Sequence, residues 1–360
     1  MMKGIFGRLA SVLILSLSLP VMAEVTVPNE FQAGETARAA EVNANFEALR
    51  SAIEELQQQT ANLRALNDHI EVINDPGVAG GMRVVFKGVN VQIHNGDESV
   101  STNGLGNLIV GFGGERGADP TVFNFDEIDP VCTGTTASGN QSEGQCLSQG
   151  GTWSKSPKSG SHNVVIGENN AWGGEHTLIA GRENVTVFGQ VAIGLNNEAY
   201  AGRGVIIGGI NNVDDGGATL LGTHNSKART GPYSAIVGGR FNTIELASNS
   251  GGSLLGAWNS TVSRQGAVVL GGNENSASGR WSAILGGKDN SAIENSASVV
   301  GGSNNSATGS AASIIGGYRG TASGVYSILL GGFENTASGK RSAIVGGSDQ
   351  TVSNDDQVLP

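Results

Sequence analysis

The pattern of apolar and polar positions repeats every fifteen residues between positions 266 and 350. Each of the six units there carries adjacent apolar residues, then two glycines, then a polar segment that ends in Ala-Ser-Gly or a close variant. Self-similarity at a fixed period predicts a solenoid in which each unit forms one turn. We therefore expect an all-β fold, a parallel β-roll or β-solenoid.

The adjacent apolar residues predict two apolar columns, because neighbouring residues of a strand point to opposite faces. A strand that is apolar on both faces must be covered on both. The interior of a thin solenoid covers one column only, so the other predicts a second chain. The paired positions are Ile284-Leu285, Val299-Val300, Ile314-Ile315, Leu329-Leu330 and Ile344-Val345.

The second half of each unit alternates small and polar residues, which indicates a half-exposed strand. Alanines such as Ala277 and Ala292 are expected to point inward. An asparagine that follows the second glycine by three residues suits a turn and can stack on its equivalent one turn on. The resulting asparagine ladder comprises Asn275, Asn290, Asn305 and Asn335, with interruptions at Gly320 and Gln350.

Looser copies of the unit extend the pattern upstream, starting at Val164-Val165-Ile166-Gly167. Together with the six regular units, they predict a roll over 161–352 of about thirteen turns, and an isolated copy lies at 108–111. At about 4.8 Å per turn the roll would be about 60 Å long.

Units such as Tyr233-Ser-Ala-Ile-Val-Gly-Gly resemble the head repeats of trimeric autotransporter adhesins of the YadA type. The resemblance covers about residues 160–350. It implies a left-handed parallel β-roll, three chains side by side, and one sheet of each roll facing the trimer axis. The family's C-terminal membrane-anchor barrel is not expected here, because residues 353–360 form only a short tail.

A heptad pattern predicts a helix from about Thr36 to His69, within a segment of lead-in and helix over 24–75. The expected function of the helix is a short coiled coil that trimerises the chain; the alternative is an amphipathic helix packed on its own domain. The core positions are Val42, Phe46, Leu49, Ile53, Leu56 and Leu63, with Ile70 continuing the repeat.

Residues 76–111 are expected to form a β collar and the first roll turn, with strands at Met82–Lys87 and Val89–His94. Upstream, residues 1–23 have the basic start, apolar centre and small-residue end of a secretory signal peptide. No later segment is apolar enough for a transmembrane helix. We expect export to the extracellular space or cell surface, with the periplasm as an alternative.

The repeat stops between residues 112 and 160, and this insertion contains both cysteines of the protein. In an exported chain Cys132 and Cys146 are expected to form a disulfide. The insertion is either a recognition loop, with Phe123, Phe125 and Trp153 as candidate contacts, or a surface excursion held by the bridge. Its acidic run at 124–129 lacks the ligand spacing of a calcium loop.

Composition and charge narrow the functional classes. The chain has 360 residues, 57 glycines and a net charge of −11, which argues against nucleic acid and anionic membranes as partners. The five histidines are scattered along the sequence, with no close pair expected, and no phosphate loop or nucleophile elbow occurs. We expect no catalytic residues, no cofactor and no metal, and hence no enzyme.

These observations predict an exported, non-enzymatic homotrimeric fibre with a structural or adhesin-like role, attached to a surface or extracellular. Its partner beyond itself would be a protein or glycan of a host or cell surface. The alternative is a receptor- or glycan-binding fibre, like those of phage tails, that uses the 112–160 insertion. An ice- or surface-binding solenoid is less favoured, because Thr308, Thr321 and Thr336 are too irregular.

Overall fold

A computed structural model describes residues 26–78, 80–96, 103–117, 130–134, 141–200, 202, 204–229, 232–246 and 250–360. The expected signal peptide lies outside these residues. The chain forms two units, residues 1–92 and 93–360, which are described separately. Neither of the two helices in the described residues is long and apolar enough to cross a bilayer.

The first unit contains helix α1 (Ala39–Asn67) and a β-hairpin. The lead-in runs beside the helix, where Asn29 N–H donates to Asn45 Oδ1 at 2.9 Å and Asn45 Nδ2 donates to the Asn29 carbonyl at 2.7 Å. Helix α1, at Ala39–Asn67, lies within the range from Thr36 to His69 that the heptad pattern predicts.

The hairpin differs from the expected collar. Strand β1 (Ile70–Asn74) pairs antiparallel with β2 (Met82–Phe86). Ile70 therefore begins a strand rather than continuing the heptad, and no strand forms at 89–94. Asp75 starts the connecting loop, where its Oδ1 accepts the Gly77 N–H and pairs with Arg83 Nη2, each at 2.9 Å. Strand β2 thus pairs with β1, which precedes it, and not with the segment 89–94 that follows it. The ordered turn at Asp75 favours this pairing.

The second unit is a parallel β-solenoid of about thirteen turns with a spacing of about fifteen residues, as the repeat predicts. Each turn contributes one strand to each of two parallel sheets. Sheet 1 has fifteen strands: β3 (Leu108–Val110), β6 (Val164–Glu168), β8 (Leu178–Arg182), β10 (Val191–Leu195), β12 (Val205–Ile210), β14 (Thr219–Leu221), β16 (Ala235–Val237), β18 (Ser253–Leu255), β20 (Val268–Val269), β22 (Ala283–Ile284), β24 (Ser298–Val299), β26 (Ser313–Ile314), β28 (Ile328–Leu329), β30 (Ala343–Ile344) and β32 (Val358–Leu359).

Sheet 2 has thirteen strands: β7 (Ala171–Trp172), β9 (Val185–Thr186), β11 (Glu198–Ala199), β13 (Val213–Asp214), β15 (Lys227–Arg229), β17 (Thr243–Glu245), β19 (Thr261–Val262), β21 (Ser276–Ala277), β23 (Ser291–Ala292), β25 (Ser306–Ala307), β27 (Thr321–Ala322), β29 (Thr336–Ala337) and β31 (Thr351–Val352). The insertion adds β4 (Val131–Thr133), helix α2 (Glu143–Ser148) and β5 (Thr152–Ser154).

The core lies between the two sheets and pairs large with small side chains. Sheet 1 contributes a fully buried column of branched residues, such as Ile284 and Ile314. In the regular units sheet 2 contributes alanines such as Ala277 and Ala292, which are also fully buried. One small column opposite one large column brings the sheets close enough to exclude water, so each turn contributes to a continuous core.

The asparagine ladder joins successive turns at one corner. Asn275 Oδ1 accepts the Asn290 N–H, and Asn290 Oδ1 accepts the Asn305 N–H, each at 3.0 Å. The Asn290 amide nitrogen donates to the carbonyls of Gly286 and Gly302 at 3.1 and 3.0 Å. Asn275, Asn290, Asn305 and Asn335 are all buried, and these bonds supply the partners that a buried amide needs.

In the pair Gly286-Gly287 only the second glycine is sterically required. Gly287 has a φ of 87°, and a Cβ there would lie 2.2 Å from the Gly302 carbonyl oxygen of the next turn. A Cβ at Gly286 would meet nothing within 4 Å. The second glycine therefore sets how closely the backbones of adjacent turns stack.

Candidate association face

The second apolar column lies on the outer surface of sheet 1 and is exposed in the single chain. Leu285 is 46 % exposed beside the fully buried Ile284, and Ile315 is 51 % exposed beside the fully buried Ile314. The pairing register stacks this column from turn to turn. Its exposed members include Ile166, Ile207, Val237, Leu255, Leu270, Leu285, Val300, Ile315, Leu330 and Val345.

The two solenoid faces differ in polarity. On sheet 1 the neighbouring outward position is also apolar at the first turns, as in Val164, Leu178 and Val191. In later turns it varies between small or polar residues, such as Ser298, and apolar ones, such as Ile328. On sheet 2 the outward residue before the inward alanine is polar: Ser or Thr in the regular units, as in Ser276 and Thr321, and Glu198 or Lys227 in earlier turns. Only sheet 1 therefore presents a continuous apolar stripe, whose length on the strand spacing is about 60 Å. Soluble monomers rarely expose apolar patches beyond a few hundred Å².

The heptad positions of α1 are also exposed. Phe46 is 64 % exposed, and Leu49, Ile53 and Leu56 are exposed as well, while Val42 is half-buried. The side chain of Leu63 lies outside the described residues. Within its own unit the helix therefore leaves the expected coiled-coil positions uncovered.

The insertion contains a small disulfide module. Sγ of Cys132 is bonded to Sγ of Cys146, with the two Cα atoms 5.6 Å apart. The bridge joins β4, which pairs antiparallel with β5, to helix α2. Ser142 caps that helix and exchanges hydrogen bonds with Gln145. Both cysteines are fully buried, so the bridge forms the centre of the module.

The start of the insertion contacts the solenoid through a buried arginine. Arg116 donates from Nε to the Glu183 carbonyl and from Nη2 to Glu198 Oε1, both at 2.9 Å. Its side chain is fully buried, so this ion pair is shielded from solvent screening. No sequence pattern indicates this contact, because the two partners of Arg116 lie 67 and 82 residues away along the chain.

Beside this contact, Val131 of the module packs in one buried cluster with Ala171, Val185 and Val187 of the first turns. The described part of the insertion is therefore held against the solenoid. Of the candidate contact residues, Trp153 is half-buried, while Phe123 and Phe125 lie outside the described residues. A recognition role for the insertion stays a prediction.

A titratable group lies in the solenoid interior, at a position where the repeat predicts a small inward residue. Asp214 takes the inward position of sheet 2, in register with Ala199 and Ala228. Burial raises the pKa of its carboxyl to about 6, although Oδ1 accepts the N–H groups of Gly216 and Ala218 at 3.1 and 2.9 Å. Aligning Val213-Asp214 with Ser276-Ala277 would have identified the position.

We expect the Asp214→Asn substitution to raise the free energy of unfolding, relative to wild type, by more at pH 7 than at pH 4. A carboxyl with a higher pKa in the folded chain favours folding when protonated, so its contribution falls between about pH 4 and pH 6. Two pKa units correspond to about 3 kcal/mol. Urea unfolding at pH 4 and pH 7 would measure the difference between the variant and wild type. The exposed Asp349→Asn is the control, and a difference that does not change with pH would contradict the prediction.

Two histidines meet in space, contrary to the sequence expectation. His162 and His176 occupy successive turns, and their rings stack with centroids 5.8 Å apart. The expectation was wrong because a separation of fourteen residues here equals one turn. Ligand atoms of His162, Glu175 and His176 lie within 4.8 Å of one another.

No family model matches the chain, and no curated protein matches its sequence. The repeat and the geometry of its two columns therefore carry the functional argument.

Proposed function

We propose that this protein is an exported, non-enzymatic homotrimeric fibre with a structural or adhesin-like role, in which sheet 1 of each chain faces the other two chains. The observation that supports this most is the exposed apolar column that includes Leu285 and Ile315. Burying a Leu or Ile side chain contributes about 1.5–3 kcal/mol, and this column repeats through the solenoid. Association of chains along the column removes that surface from water.

Two further features favour three chains. The heptad stripe of α1, including Phe46 and Ile53, is exposed and suits a short coiled coil that sets the register of the chains. The repeats resemble the heads of YadA-type adhesins, in which three left-handed rolls lie side by side. In the proposed assembly the polar sheet 2, with Ser276 and Thr321 outward, faces solvent.

The role in attachment rests on the signal-like N-terminus, the acidic charge and the resemblance. A homotrimeric fibre presents each of its surfaces three times. Three copies strengthen weak contacts with a partner through multivalency. Beads coated with residues 24–360 should be retained on host-cell layers more than beads coated with albumin. Equal retention would contradict adhesion and leave a structural role.

The solution mass tests the assembly directly. Residues 24–360, purified with the disulfide intact, are expected to give three times the mass of one chain by light scattering after size exclusion. The mass should not change on dilution through the micromolar range, because an apolar seam of this length dissociates slowly. A monomer would contradict the proposal, and a dimer would contradict its three-chain form.

A further inference from the structure

A cluster of three metal-ligating side chains lies at the N-terminal end of the roll. His162 lies two residues before Val164, the first residue of strand β6 of sheet 1, and Glu175 and His176 precede the neighbouring strand β8. Their ligand atoms lie within 4.8 Å of one another. The cluster is made by one chain and does not depend on the proposed trimer.

The backbone explains why the two histidines meet. His162 and His176 have φ values of 58° and 59°, in the left-handed region that non-glycine residues rarely adopt. The equivalent corner of later turns is occupied by residues such as Gly266 and Trp281, also at positive φ. A fixed corner conformation in adjacent turns points successive side chains the same way, so the two imidazoles stack.

Two polar atoms of the cluster have no partner among the described residues. Nδ1 of His162 and Oε2 of Glu175 are shielded from solvent and make no hydrogen bond there. A polar atom that is shielded from water and has no hydrogen-bond partner destabilises the folded chain. Both atoms belong to groups that coordinate metal ions, and a cation between them would satisfy both.

We propose that His162, Glu175 and His176 bind one divalent transition-metal ion of the Zn²⁺ class. Two imidazoles and one carboxylate form a ligand set typical of zinc sites with open positions. Imidazole nitrogen selects Zn²⁺ and its neighbours over Mg²⁺ and Ca²⁺, which prefer oxygen ligands only. One carboxylate leaves the site with a single positive charge, and water fills the remaining positions.

The site needs only a small adjustment to close on the ion. Ligand atoms around tetrahedral Zn²⁺ lie about 3.3 Å apart, given metal–ligand distances of about 2.0–2.1 Å. His176 is exposed and can turn about its side-chain bonds, whereas His162 and Glu175 are half-buried. A surface recess lined by both histidines, Gly189, Gln190 and Gly204 lies beside the pair, so the ion reaches the site from solvent.

The bound ion links two adjacent turns. The residues that precede β6 and β8 are joined through it, at the end of the roll where the chain returns from the insertion. An ion that binds only the folded chain raises its stability. The bound metal therefore stabilises the first turns, whose sequence departs most from the regular fifteen-residue unit.

Zinc titration of residues 24–360 tests the proposal. The protein is stripped with EDTA, dialysed and titrated with Zn²⁺ in competition with a chromophoric indicator. We expect one Zn²⁺ per chain in wild type. His162→Asn and His176→Asn should each bind at least tenfold more weakly, since asparagine tolerates the left-handed corner but replaces the imidazole. Glu175→Gln should also weaken binding.

Controls separate this site from adventitious binding and from misfolding. His224→Asn changes a histidine of a later turn and should bind Zn²⁺ like wild type. Circular dichroism should show the wild-type spectrum for every variant, and Zn²⁺ should raise the melting temperature of wild type and His224→Asn only. Absence of binding by wild type, equal binding by the His162 and His176 variants, or equal affinity for Mg²⁺ would each overturn the proposal.

Discussion

A chain with aspartate in place of Leu285, Ile315 and Val345 is expected to elute as a folded monomer, in contrast to a wild-type trimer. These residues are exposed in the single chain, so aspartate there leaves the interior of the roll intact. In the proposed trimer each substitution removes an apolar contribution of about 1.5–3 kcal/mol. Each also places a charge in the seam, and an unpaired buried charge costs several kcal/mol. Light scattering would report the mass.

A matched variant on the opposite sheet separates the effect of position from the effect of charge. Ser276, Thr321 and Thr336 lie on the outer face of sheet 2, where the proposed trimer meets solvent. Aspartate at these three positions should leave the trimer intact. A trimer that persists with aspartate at 285, 315 and 345 would contradict the proposed seam, and circular dichroism would show that both variants are folded.

Asparagine at the three neighbouring positions 284, 314 and 344 is expected to unfold the C-terminal turns. Ile284, Ile314 and Ile344 are fully buried between the sheets of one chain. Loss of each isoleucine costs about 2–5 kcal/mol, and the buried amide adds a cost when it has no partner. Together these losses match or exceed the 5–15 kcal/mol stability of an ordinary domain.

Thermal melting followed by circular dichroism would measure this loss. Since each turn of a solenoid contacts only its neighbours, melting should begin in the substituted turns. Limited proteolysis should therefore cut within 266–360 and spare the earlier turns. The conservative set Ile284→Val, Ile314→Val and Ile344→Val is the control and should lower stability by about 0.5–1.5 kcal/mol per site. A wild-type melting curve for the asparagine variant would contradict the assignment of the interior column.

The sequence predicted the repeat well but could not assign its two columns. A fixed period of fifteen gives the stacked parallel strands and the number of turns directly, and both are confirmed. Strand alternation says only that Ile284 and Leu285 point to opposite faces. Which of these two side chains points into the solenoid depends on the direction in which the chain turns between the two sheets. Backbone conformations at those turns, such as the positive φ of Trp281, set this direction.

The collar was harder to predict because short apolar segments suit several structures. Ile70 fits the heptad, yet it begins a strand that pairs with Met82–Phe86. Val89, Val91 and Ile93 alternate with polar residues as a strand would, but they have no strand partner. The pairing was decided by the turn at Asp75, whose carboxylate organises the loop.

Contacts between turns account for the other missed features. His162 and His176 are neighbours in space because they lie one turn apart. Arg116 contacts Glu198, which lies 82 residues later in the sequence, beyond the insertion. Asp214 is buried because it takes an alanine's place in the register. Once the period is known, spacing by one turn would have identified the histidine pair and Asp214, whereas the path of the insertion could not be deduced.

The asparagine ladder also bears on how the solenoid can change length over evolution. Asn290 accepts from Asn305 in the way that Asn275 accepts from Asn290, so neither bond depends on which copy of the unit comes next. Near-identical coding repeats recombine with one another, and a gain or loss of fifteen codons would leave every remaining turn with an equivalent neighbour. Each such event changes the length of the solenoid by about 4.8 Å and requires no new kind of core contact.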